Sequence, residues 1–270
     1  MSRLLTIYRT VRRACAGLLR ATLRIARARI RPVWPPIGLV RFGGLRRLRP
    51  IGKSFGRARG TPIDRYYIER FLARHAGSPG YILGEIRGCV LEIGEDKYTR
   101  RFGAVHEGRP EDAPSWSVSS VDIFHGDASN GRATIVGDLA TGDGVPSDAF
   151  DCIIVTQTLQ VIYDLHGAIG TLHRALKPGG ILLATVPGIC QVCRPDVDLW
   201  GEYWRFTSVG VRRLFEEWFP AENLTVEASG NVLTAISFLH GIAVEDLRSD
   251  ELDLHDPDYE VNIAVRAVKG

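Results

Sequence analysis

The chain has 270 residues, of which 45% are hydrophobic and 24% are charged. This composition supports a substantial core and excludes a disordered chain, a collagen-like repeat and a disulfide-stapled miniprotein. No apolar run approaches the ~18 residues that a membrane-spanning helix needs. The net charge of +3 is unevenly divided: residues 1–60 hold fifteen Arg, one Lys and no acidic residue, and residues 61–270 carry −13. The sequence therefore predicts a basic arm, residues 1–60, and an acidic α/β domain, residues 61–270.

The arm begins with an amphipathic pattern. Apolar residues recur at three- and four-residue spacing through residues 1–31, with Arg mostly on the other side, which predicts a helix ending near Pro32. Three roles stay open: a helix lying on an anionic membrane surface, a helix docked on a protein, and an organellar targeting segment. No nucleic-acid partner is expected, because no recognition motif accompanies the charge. Residues 41–60, rich in Gly, are interpreted as a flexible basic linker.

The domain alternates strand-like and helical segments. Thr61-Pro62-Ile63-Asp64 has the residue types of a helix start, with Thr61 as the cap, and predicts a helix to about His75. The predicted strands are 90–93, 121–124, 133–136, 150–155, 181–186, 224–228 and 261–268, and the further predicted helices are 165–177 and 207–218. Several strands are continuous apolar runs, which is typical of strands covered on both faces. The pattern predicts an α/β fold with a doubly wound, mostly parallel, seven-stranded sheet.

Cysteine and histidine patterns do not predict a metal site. The five Cys are an odd number and give no disulfide framework. Cys190 and Cys193 form one CxxC pair, whereas a zinc site needs a second pair of ligands at matching spacing. Four other residues resemble a metal cluster by composition alone: His240, His255, Asp256 and Asp258. No metal is therefore expected.

Polar residues collect where the predicted strands end. They are Glu92, Gly94, Asp122, Asp138, Thr156 and Gln157. Ligands of open α/β sheets bind beyond the carboxyl ends of the strands. Carboxylates there can accept hydrogen bonds from sugar hydroxyls or an exocyclic amine, and Gly94 allows a ligand to approach the backbone. The sequence therefore predicts a binding site at this edge of the sheet.

Three segments resemble class I S-adenosylmethionine-dependent methyltransferases of the type 11 kind. They are Val90-Leu91-Glu92-Ile93-Gly94, Phe150-Asp151-Cys152-Ile153-Ile154 and the block from Leu172 to Leu183, whose Leu-Lys-Pro-Gly-Gly core is the most specific. The resemblance spans roughly residues 61–270. The helix at 60–71 and the segment 204–207 also resemble methyltransferases found near glycan and exopolysaccharide assembly genes. The resemblance implies a Rossmann-like methyltransferase fold, S-adenosyl-L-methionine as cofactor, and methyl transfer to a small-molecule or glycan-type acceptor.

The resemblance also implies cofactor contacts for seven residues. They are Glu92 and Gly94 at the methionine end, Asp122 at the ribose, Asp138 and Leu139 at the adenine, and Thr156 and Gln157 beneath the sulfonium. Tyr203, Trp204 and Arg205 are candidates for an acceptor-binding wall, with a lid packed on the sheet as the alternative. A hydroxyl acceptor would benefit from a general base, for which the candidates near predicted strand ends are His125, Asp164 and His166.

The glycine turn of the family is altered in this chain. Where the family has E-x-G-x-G-x-G, the second and third glycines are replaced by Asp96 and Tyr98. Side chains are therefore expected to occupy space where backbone normally meets the cofactor. Carboxylates at Glu95 and Asp96 would repel a pyrophosphate but not a cationic sulfonium, which disfavours a nicotinamide oxidoreductase.

Two functional hypotheses follow from these residues. One is a cytoplasmic methyltransferase, with the arm as a means of peripheral attachment to the inner membrane face. The other is a non-catalytic Rossmann-like module that has lost the cofactor and tethers a partner enzyme at a membrane surface.

Overall fold

The computed structural model describes residues 43–76 and 84–270. The chain divides into two compact units, Met1–Arg47 and Leu48–Gly270, and a 3-10 turn at Gly43–Leu45 is the described secondary structure of the first. The amphipathic helix predicted for residues 1–31 lies outside the described residues and stays a prediction. Within the described ranges, no helix is both long enough and apolar enough to cross a membrane.

The second unit contains a seven-stranded sheet. The strands are β1 (Gly88–Ile93), β2 (Val118–His125), β3 (Ile135–Val136), β4 (Phe150–Thr156), β5 (Leu176–Pro187), β6 (Leu224–Ser229) and β7 (Asn262–Val268). The described helices are α1 (Ile63–His75), α2 (Lys97–Phe102), α3 (Leu165–Ala175), α4 (Arg194–Leu199), α5 (Ser208–Glu216), α6 (Val232–Leu239) and α7 (Ser249–Asp253). The strand order is β3-β2-β1-β4-β5-β7-β6, with β7 antiparallel to both neighbours and the other pairs parallel. The predicted mostly parallel sheet is confirmed.

Successive strand residues point to opposite faces of the sheet and join two separate cores. In β1, Leu91 belongs to a cluster that includes residues of α3 and α5, whereas its neighbour Val90 belongs to a cluster that includes residues of α1 and α2. Ile153 and Ile154 of β4 divide in the same way. This alternation is the period of two that a strand imposes on its side chains. Because both faces bury apolar residues, the strands read as continuous apolar runs in the sequence.

The ends of two helices test the predicted caps. The Gly210 backbone N–H donates to Oγ1 of Thr207 at 3.2 Å, so the predicted cap of α5 is confirmed. The predicted Thr61 cap of α1 is wrong, because Pro62 occupies the N-cap position and makes no side-chain cap. The hydroxyl of Thr61 instead donates to Glu245 at 2.7 Å. Asp64 does lie in the first turn of α1, as predicted.

Residues 51–60 pack on the domain, so the interpretation as a flexible linker is wrong for this part. The Ile51 backbone N–H donates to the carbonyl of His240 at 2.8 Å, and Arg59 pairs with Asp246 at 2.7 Å. A Cβ added to Gly52 would lie 2.2 Å from the carbonyl oxygen of Gly241. The glycine that suggested flexibility therefore permits a close backbone contact.

Candidate active site

Residues at the carboxyl ends of four parallel strands line a cavity of about 520 Å³, here called the strand-end cavity. Gly94 follows β1, Gly126 follows β2, Asp138 follows β3 and Gln157 follows β4, and all four line it. The opposite wall comes from α4 and the segment after it, through Asp196, Trp200 and Tyr203. The volume falls within the 300–1,000 Å³ typical of small-molecule sites. The predicted site at this edge of the sheet therefore exists as a cavity.

Gly94 opens directly onto this space. Its φ is 92°, in the region that favours glycine, and an added Cβ would meet no atom within 4 Å. Its backbone N–H donates to the carbonyl of Phe124 at 2.8 Å, which ties the end of β1 to β2. A ligand can consequently approach the backbone at Gly94 without displacing a side chain.

Glu92 holds the turn that follows. Its carboxylate accepts hydrogen bonds from the backbone N–H groups of Tyr98 and Thr99 at 3.0 and 2.7 Å, and from the Thr99 hydroxyl at 2.7 Å. These donors lie in the first turn of α2, where backbone N–H groups lack partners within the helix. Burial raises the pKa of Glu92, and the bonds from Thr99 and Tyr98 oppose that shift. Glu92 is absent from the cavity wall, so among the described residues it positions the turn.

The altered turn leaves the strand-end cavity open. Tyr98 is 3% exposed, packs in the core beneath α1, and accepts a hydrogen bond from Arg65 at 3.1 Å. Asp96 is 4% exposed and pairs with Arg100 and, at 2.6 Å, with Arg132. Neither residue lines the cavity. The expectation that these side chains occupy the cofactor space is therefore wrong. Asp96 is the N-cap of α2 and Tyr98 lies in its first turn, and both side chains are directed to other contacts.

Six predicted site residues line the strand-end cavity: Gly94, His125, Asp138, Leu139, Gln157 and Tyr203. Seven others do not: Glu92, Asp122, Thr156, Asp164, His166, Trp204 and Arg205. Thr156 is the last residue of β4, and Thr158, which the sequence analysis did not select, lines the cavity in its place.

Asp122 lies inside β2 rather than at its end. It is in register with Leu91 of β1, and its carboxylate accepts a hydrogen bond from the Thr134 hydroxyl at 2.8 Å. β2 runs from Val118 to His125, so the residues at its carboxyl end are His125 and Gly126, which both line the cavity. The assignment of Asp122 to a ribose is therefore not supported by its position.

Asp127 is the carboxylate that follows the end of β2. It is exposed and accepts hydrogen bonds from the Ser129 backbone and hydroxyl, both at 2.8 Å, which lower the pKa of its carboxyl. It comes directly after Gly126, which lines the cavity. Asp127 was not among the predicted site residues, although its place three residues beyond a strand-like run is visible in the sequence.

The loop after β3 presents Asp138 to the cavity. One carboxylate oxygen of Asp138 accepts the Ala140 backbone N–H at 2.8 Å. This Asx turn fixes the side chain, and its second oxygen is left for a ligand. Leu139 is 3% exposed and forms part of the apolar floor. Both residues line the strand-end cavity, and their contact with an adenine ring stays a prediction.

His125 contributes an aromatic ring and a hydrogen-bond donor. Its Nδ1 accepts the Asp127 backbone N–H at 3.0 Å, so the neutral ring carries its proton on Nε2. The ring packs edge-on against Trp200 with centroids 5.7 Å apart. In this tautomer the exposed nitrogen donates, which suits binding better than general base catalysis.

The other two candidate bases have structural roles. Asp164 is the N-cap of α3 and accepts the Gly167 backbone N–H at 2.9 Å. The side chain of His166 is 63% exposed and pairs with Glu217 at 2.6 Å, and its ring is tilted against that of Trp218 with centroids 4.9 Å apart. The structure does not bring either residue to the strand-end cavity.

Of the three residues predicted to form the acceptor wall, one lines the strand-end cavity and two do not. Tyr203 lines the cavity, with its ring edge-on to Tyr163 at 5.3 Å. Trp204 donates from its indole N–H to the carbonyl of Ile162 at 3.0 Å and stacks on Tyr163. Arg205 donates to the carbonyl of Gln191 at 2.8 Å and to Glu202 at 2.7 Å. The last two residues hold the segment in place, as the alternative of a packed lid expects.

A second cavity of about 490 Å³ adjoins the first and is here called the α1–α4 cavity. Its lining comes from residues 54–65, from 157–160, from 187–202, and from Phe238 and Val261. Gln157 and Asp196 line both cavities. Sequence reasoning missed this site, because its residues come from segments that only tertiary packing brings together.

Cys190 and Cys193 line the α1–α4 cavity as free cysteines. Burial raises the pKa of the Cys190 thiol to about 11 and also raises that of Cys193. Both are therefore protonated near neutral pH and are poor nucleophiles and metal ligands. In residues 43–76 and 84–270, no group of three or more His, Cys, Asp or Glu could hold a metal ion.

Residues 65–230 match a family model described as a methyltransferase domain, which is more than half of the chain. No protein of curated function matches the sequence.

Solved structures resemble the chain at low identity. A SAM dependent methyltransferase from Archaeoglobus fulgidus is 11% identical, with 76% of this chain and 94% of that chain covered and a TM-score of 0.44. An S-adenosylmethionine dependent methyltransferase from Mesorhizobium loti is 13% identical, with 76% and 97% covered and a TM-score of 0.44. The N-methyltransferase NodS from Bradyrhizobium japonicum, in complex with S-adenosyl-L-homocysteine, is 15% identical, with 79% and 90% covered and a TM-score of 0.43.

Proposed function

This chain belongs to the methyltransferase domain family, and we propose that it methylates a small-molecule or glycan-type acceptor with the cofactor held in the strand-end cavity. It is an enzyme that uses S-adenosylmethionine, as its family does. The observation that carries the proposed site is the open space at Gly94, which the altered turn does not fill.

The residues of the strand-end cavity fit an adenosyl group. Asp138 offers a carboxylate oxygen to an exocyclic amine, Leu139 offers an apolar surface, and His125 offers a ring N–H to hydroxyls. The cofactor, when bound, supplies an electrophilic methyl group on a cationic sulfur. The protein's contribution is alignment, which can supply on the order of 7–11 kcal/mol of a barrier.

The size of the neighbouring space supports a small acceptor. The α1–α4 cavity shares two lining residues with the strand-end cavity, so a molecule bound there would lie beside the cofactor. A cavity of this volume suits a monosaccharide-sized group better than a folded protein or a nucleic-acid duplex. Tyr163 and Tyr203 line the adjoining strand-end cavity with their rings 5.3 Å apart and add an aromatic surface of the kind on which sugars stack.

A labelling experiment tests this function. The protein is incubated with S-adenosylmethionine carrying a radioactive methyl group, together with separate pools of monosaccharides, oligosaccharides, a carrier protein and RNA. We expect label in a carbohydrate or other small-molecule fraction, and none there with the Gly94→Val variant. Label confined to the protein or RNA fraction would contradict the proposed acceptor class.

Family membership and the open cavity favour an enzyme over the non-catalytic tether. That hypothesis depended on Asp96 and Tyr98 blocking the cofactor, whereas both side chains are buried elsewhere. A protein that only tethers would also have no need of a second cavity beside the first.

The arm supports a proposal about location. Residues 1–31 carry nine Arg and no acidic residue, and an Arg-rich amphipathic segment can bind an anionic membrane surface, with each basic group contributing roughly 1 kcal/mol. We expect the full chain to sediment with vesicles containing phosphatidylserine, and much less so after Arg9, Arg13 and Arg20 are changed to Glu. Equal sedimentation of both proteins would favour docking on a protein instead.

A further inference from the structure

The α1–α4 cavity contains buried hydrogen-bond acceptors that have no partner. Within the part of the chain that the structure describes, Oδ1 of Asp64 and Oε1 of Gln160 are inaccessible to solvent and accept no hydrogen bond. The Gln160 residue is only 6% exposed. An unpaired buried acceptor is costly, so native proteins rarely keep one without a use for it.

Local contacts fix both acceptors at the cavity. The Gln160 amide donates from Nε2 to the carbonyl of Gln157 at 2.8 Å, which leaves Oε1 as its acceptor. Asp64 is the second residue of α1, and its Oδ2 is the oxygen nearer to Arg65, at 3.8 Å from Nε. Burial raises the pKa of the Asp64 carboxyl, and Arg65 only partly opposes this. A ligand that donates hydrogen bonds would satisfy both groups.

The charged residues around the α1–α4 cavity indicate which chemical groups a ligand there would carry. Arg57, Arg65 and Arg194 line it, and so do the carboxylates of Asp64, Asp196 and Glu202, of which Glu202 is paired with Arg205. Arg65 is engaged with Tyr98 and Asp64, whereas Arg57 and Arg194 form no ion pair with the carboxylates that the structure describes. Free guanidinium groups attract phosphate or carboxylate and repel an ammonium group. Arg57 and Arg194 can therefore hold an anionic substituent of a ligand, and Asp64 and Gln160 can accept hydrogen bonds from its hydroxyl groups.

The junction with the strand-end cavity is held rigidly. Gln157 has a φ of 50°, a strained conformation for a residue other than glycine. Its Nε2 donates to Asn262 at 2.9 Å, and its backbone N–H donates to Thr185 at 2.9 Å. Strain retained against such contacts is typical of functional positions, and here it lies on the wall between two cavities.

We propose that the α1–α4 cavity is the acceptor site and takes an anionic hydroxyl compound, such as a sugar phosphate or a sugar acid. The hydroxyl to be methylated donates to Asp64, a second hydroxyl donates to Gln160, and the anionic group lies against Arg57 and Arg194. This inference rests on the proposed function. On transfer, the acceptor oxygen gains the methyl carbon, sulfur keeps the electron pair of the broken carbon–sulfur bond, and the hydroxyl proton passes to the Asp64 carboxylate.

Binding of three matched sugars tests the class of acceptor. The full chain is first titrated with S-adenosylhomocysteine, and the loaded protein is then titrated with glucose 6-phosphate, glucose and glucosamine. We expect glucose 6-phosphate to bind at least tenfold more tightly than glucosamine, with glucose between them. Normal binding of S-adenosylhomocysteine without this order, or without any sugar binding, would overturn the inference alone. Failure to bind S-adenosylhomocysteine would overturn the proposed function, and this inference with it.

Two variants test the two acceptor atoms. Asp64→Asn and Gln160→Met should each weaken glucose 6-phosphate binding at least tenfold and leave S-adenosylhomocysteine affinity within twofold. Asp250→Asn is the matched control, because Asp250 is also the second residue of a helix but lines neither cavity. An equal loss of S-adenosylhomocysteine affinity would instead assign the cavity to the amino acid end of the cofactor and overturn the inference.

A stability measurement separates a binding role from a structural one. Because the Asp64 carboxylate is buried with an unpaired oxygen, Asp64→Asn should raise the melting temperature by about 2 °C while it removes sugar binding. A lower melting temperature would indicate that Asp64 serves the fold, and would contradict its assignment to the ligand.

Discussion

The two neighbouring cavities are built in different ways. The strand-end cavity is lined largely by residues that follow β1 to β4, so the order of the sheet places them. The α1–α4 cavity is lined by charged, amide and apolar side chains from segments more than 200 residues apart, Ser54 to Val261. The first is a property of the fold, and many sequences could form it. The second depends on particular side chains, and it is where one member of the family can differ from another.

The largest effect that we expect is a loss of stability in a variant that tests whether the backbone shapes the strand-end cavity. Tyr98→Gly restores a glycine of the family pattern but removes a buried aromatic ring, so the free energy of unfolding should fall by about 4 kcal/mol. If the backbone shapes the strand-end cavity, the affinity for S-adenosylhomocysteine should change less than threefold. Urea denaturation and calorimetric titration measure the two quantities. An affinity gain of tenfold or more would show that the native side chain does obstruct the cofactor.

The substitution Gly94→Val would fill part of the strand-end cavity directly. The new side chain would project into the open space and would also strain the backbone at a φ of 92°. We expect S-adenosylhomocysteine affinity to fall at least 100-fold, about 2.7 kcal/mol. Gly179→Val is the matched control, with a φ of 75°, open space around it and no part in either cavity. If both variants lost affinity equally, the effect would come from strain.

A change remote from both cavities should affect stability alone. Although burial opposes it, hydrogen bonds from His75 and Arg266 lower the pKa of Glu85 to about 2, from an ordinary value of 4.5. A lowered carboxyl pKa stabilises the fold above pH 4.5, and this stabilisation is lost as the pH falls from 4.5 to 2. Glu85→Gln should therefore cost about 2 kcal/mol at pH 7 and almost nothing at pH 2. A constant difference across that range, in urea titrations at several pH values, would contradict this.

The smallest effect concerns a single cofactor contact. Asp138→Asn replaces the carboxylate oxygen that faces the strand-end cavity and should weaken S-adenosylhomocysteine binding about tenfold, or 1.4 kcal/mol. Asp143→Asn changes the same loop outside the cavity wall and should leave the affinity unaltered. Calorimetric titration of both variants decides whether Asp138 contacts the ligand.

The difference between the cavities also explains what the sequence could predict. Gly94, Asp138 and Gln157 were predictable, because each follows an apolar strand and parallel strands end at one edge. Asp122 was misplaced because it lies inside β2, three residues before the strand ends, whereas the cavity is lined by residues at and just after that end, such as His125 and Gly126. Asp64 and Gln160 gave no local signal, since their shared property is an unpaired atom that exists only after folding.

The altered turn shows a different limit. The replacement of two glycines by Asp96 and Tyr98 was visible, but the directions of their side chains were not. Those directions depend on the three hydrogen bonds that Glu92 accepts and on the start of α2 at Lys97. The same acidic residue that the sequence analysis assigned to the ligand instead secures the turn that makes room for it.

The most direct test of this account is a crystal structure of the protein with S-adenosylhomocysteine. We expect density for the adenosyl group in the strand-end cavity, against Gly94 and Gly126, with Asp138 beside the adenine amine. Asp96 and Tyr98 should remain buried beneath the turn. Density for either side chain inside that cavity, or for the ligand bound elsewhere, would contradict the claim that the altered turn leaves the site open.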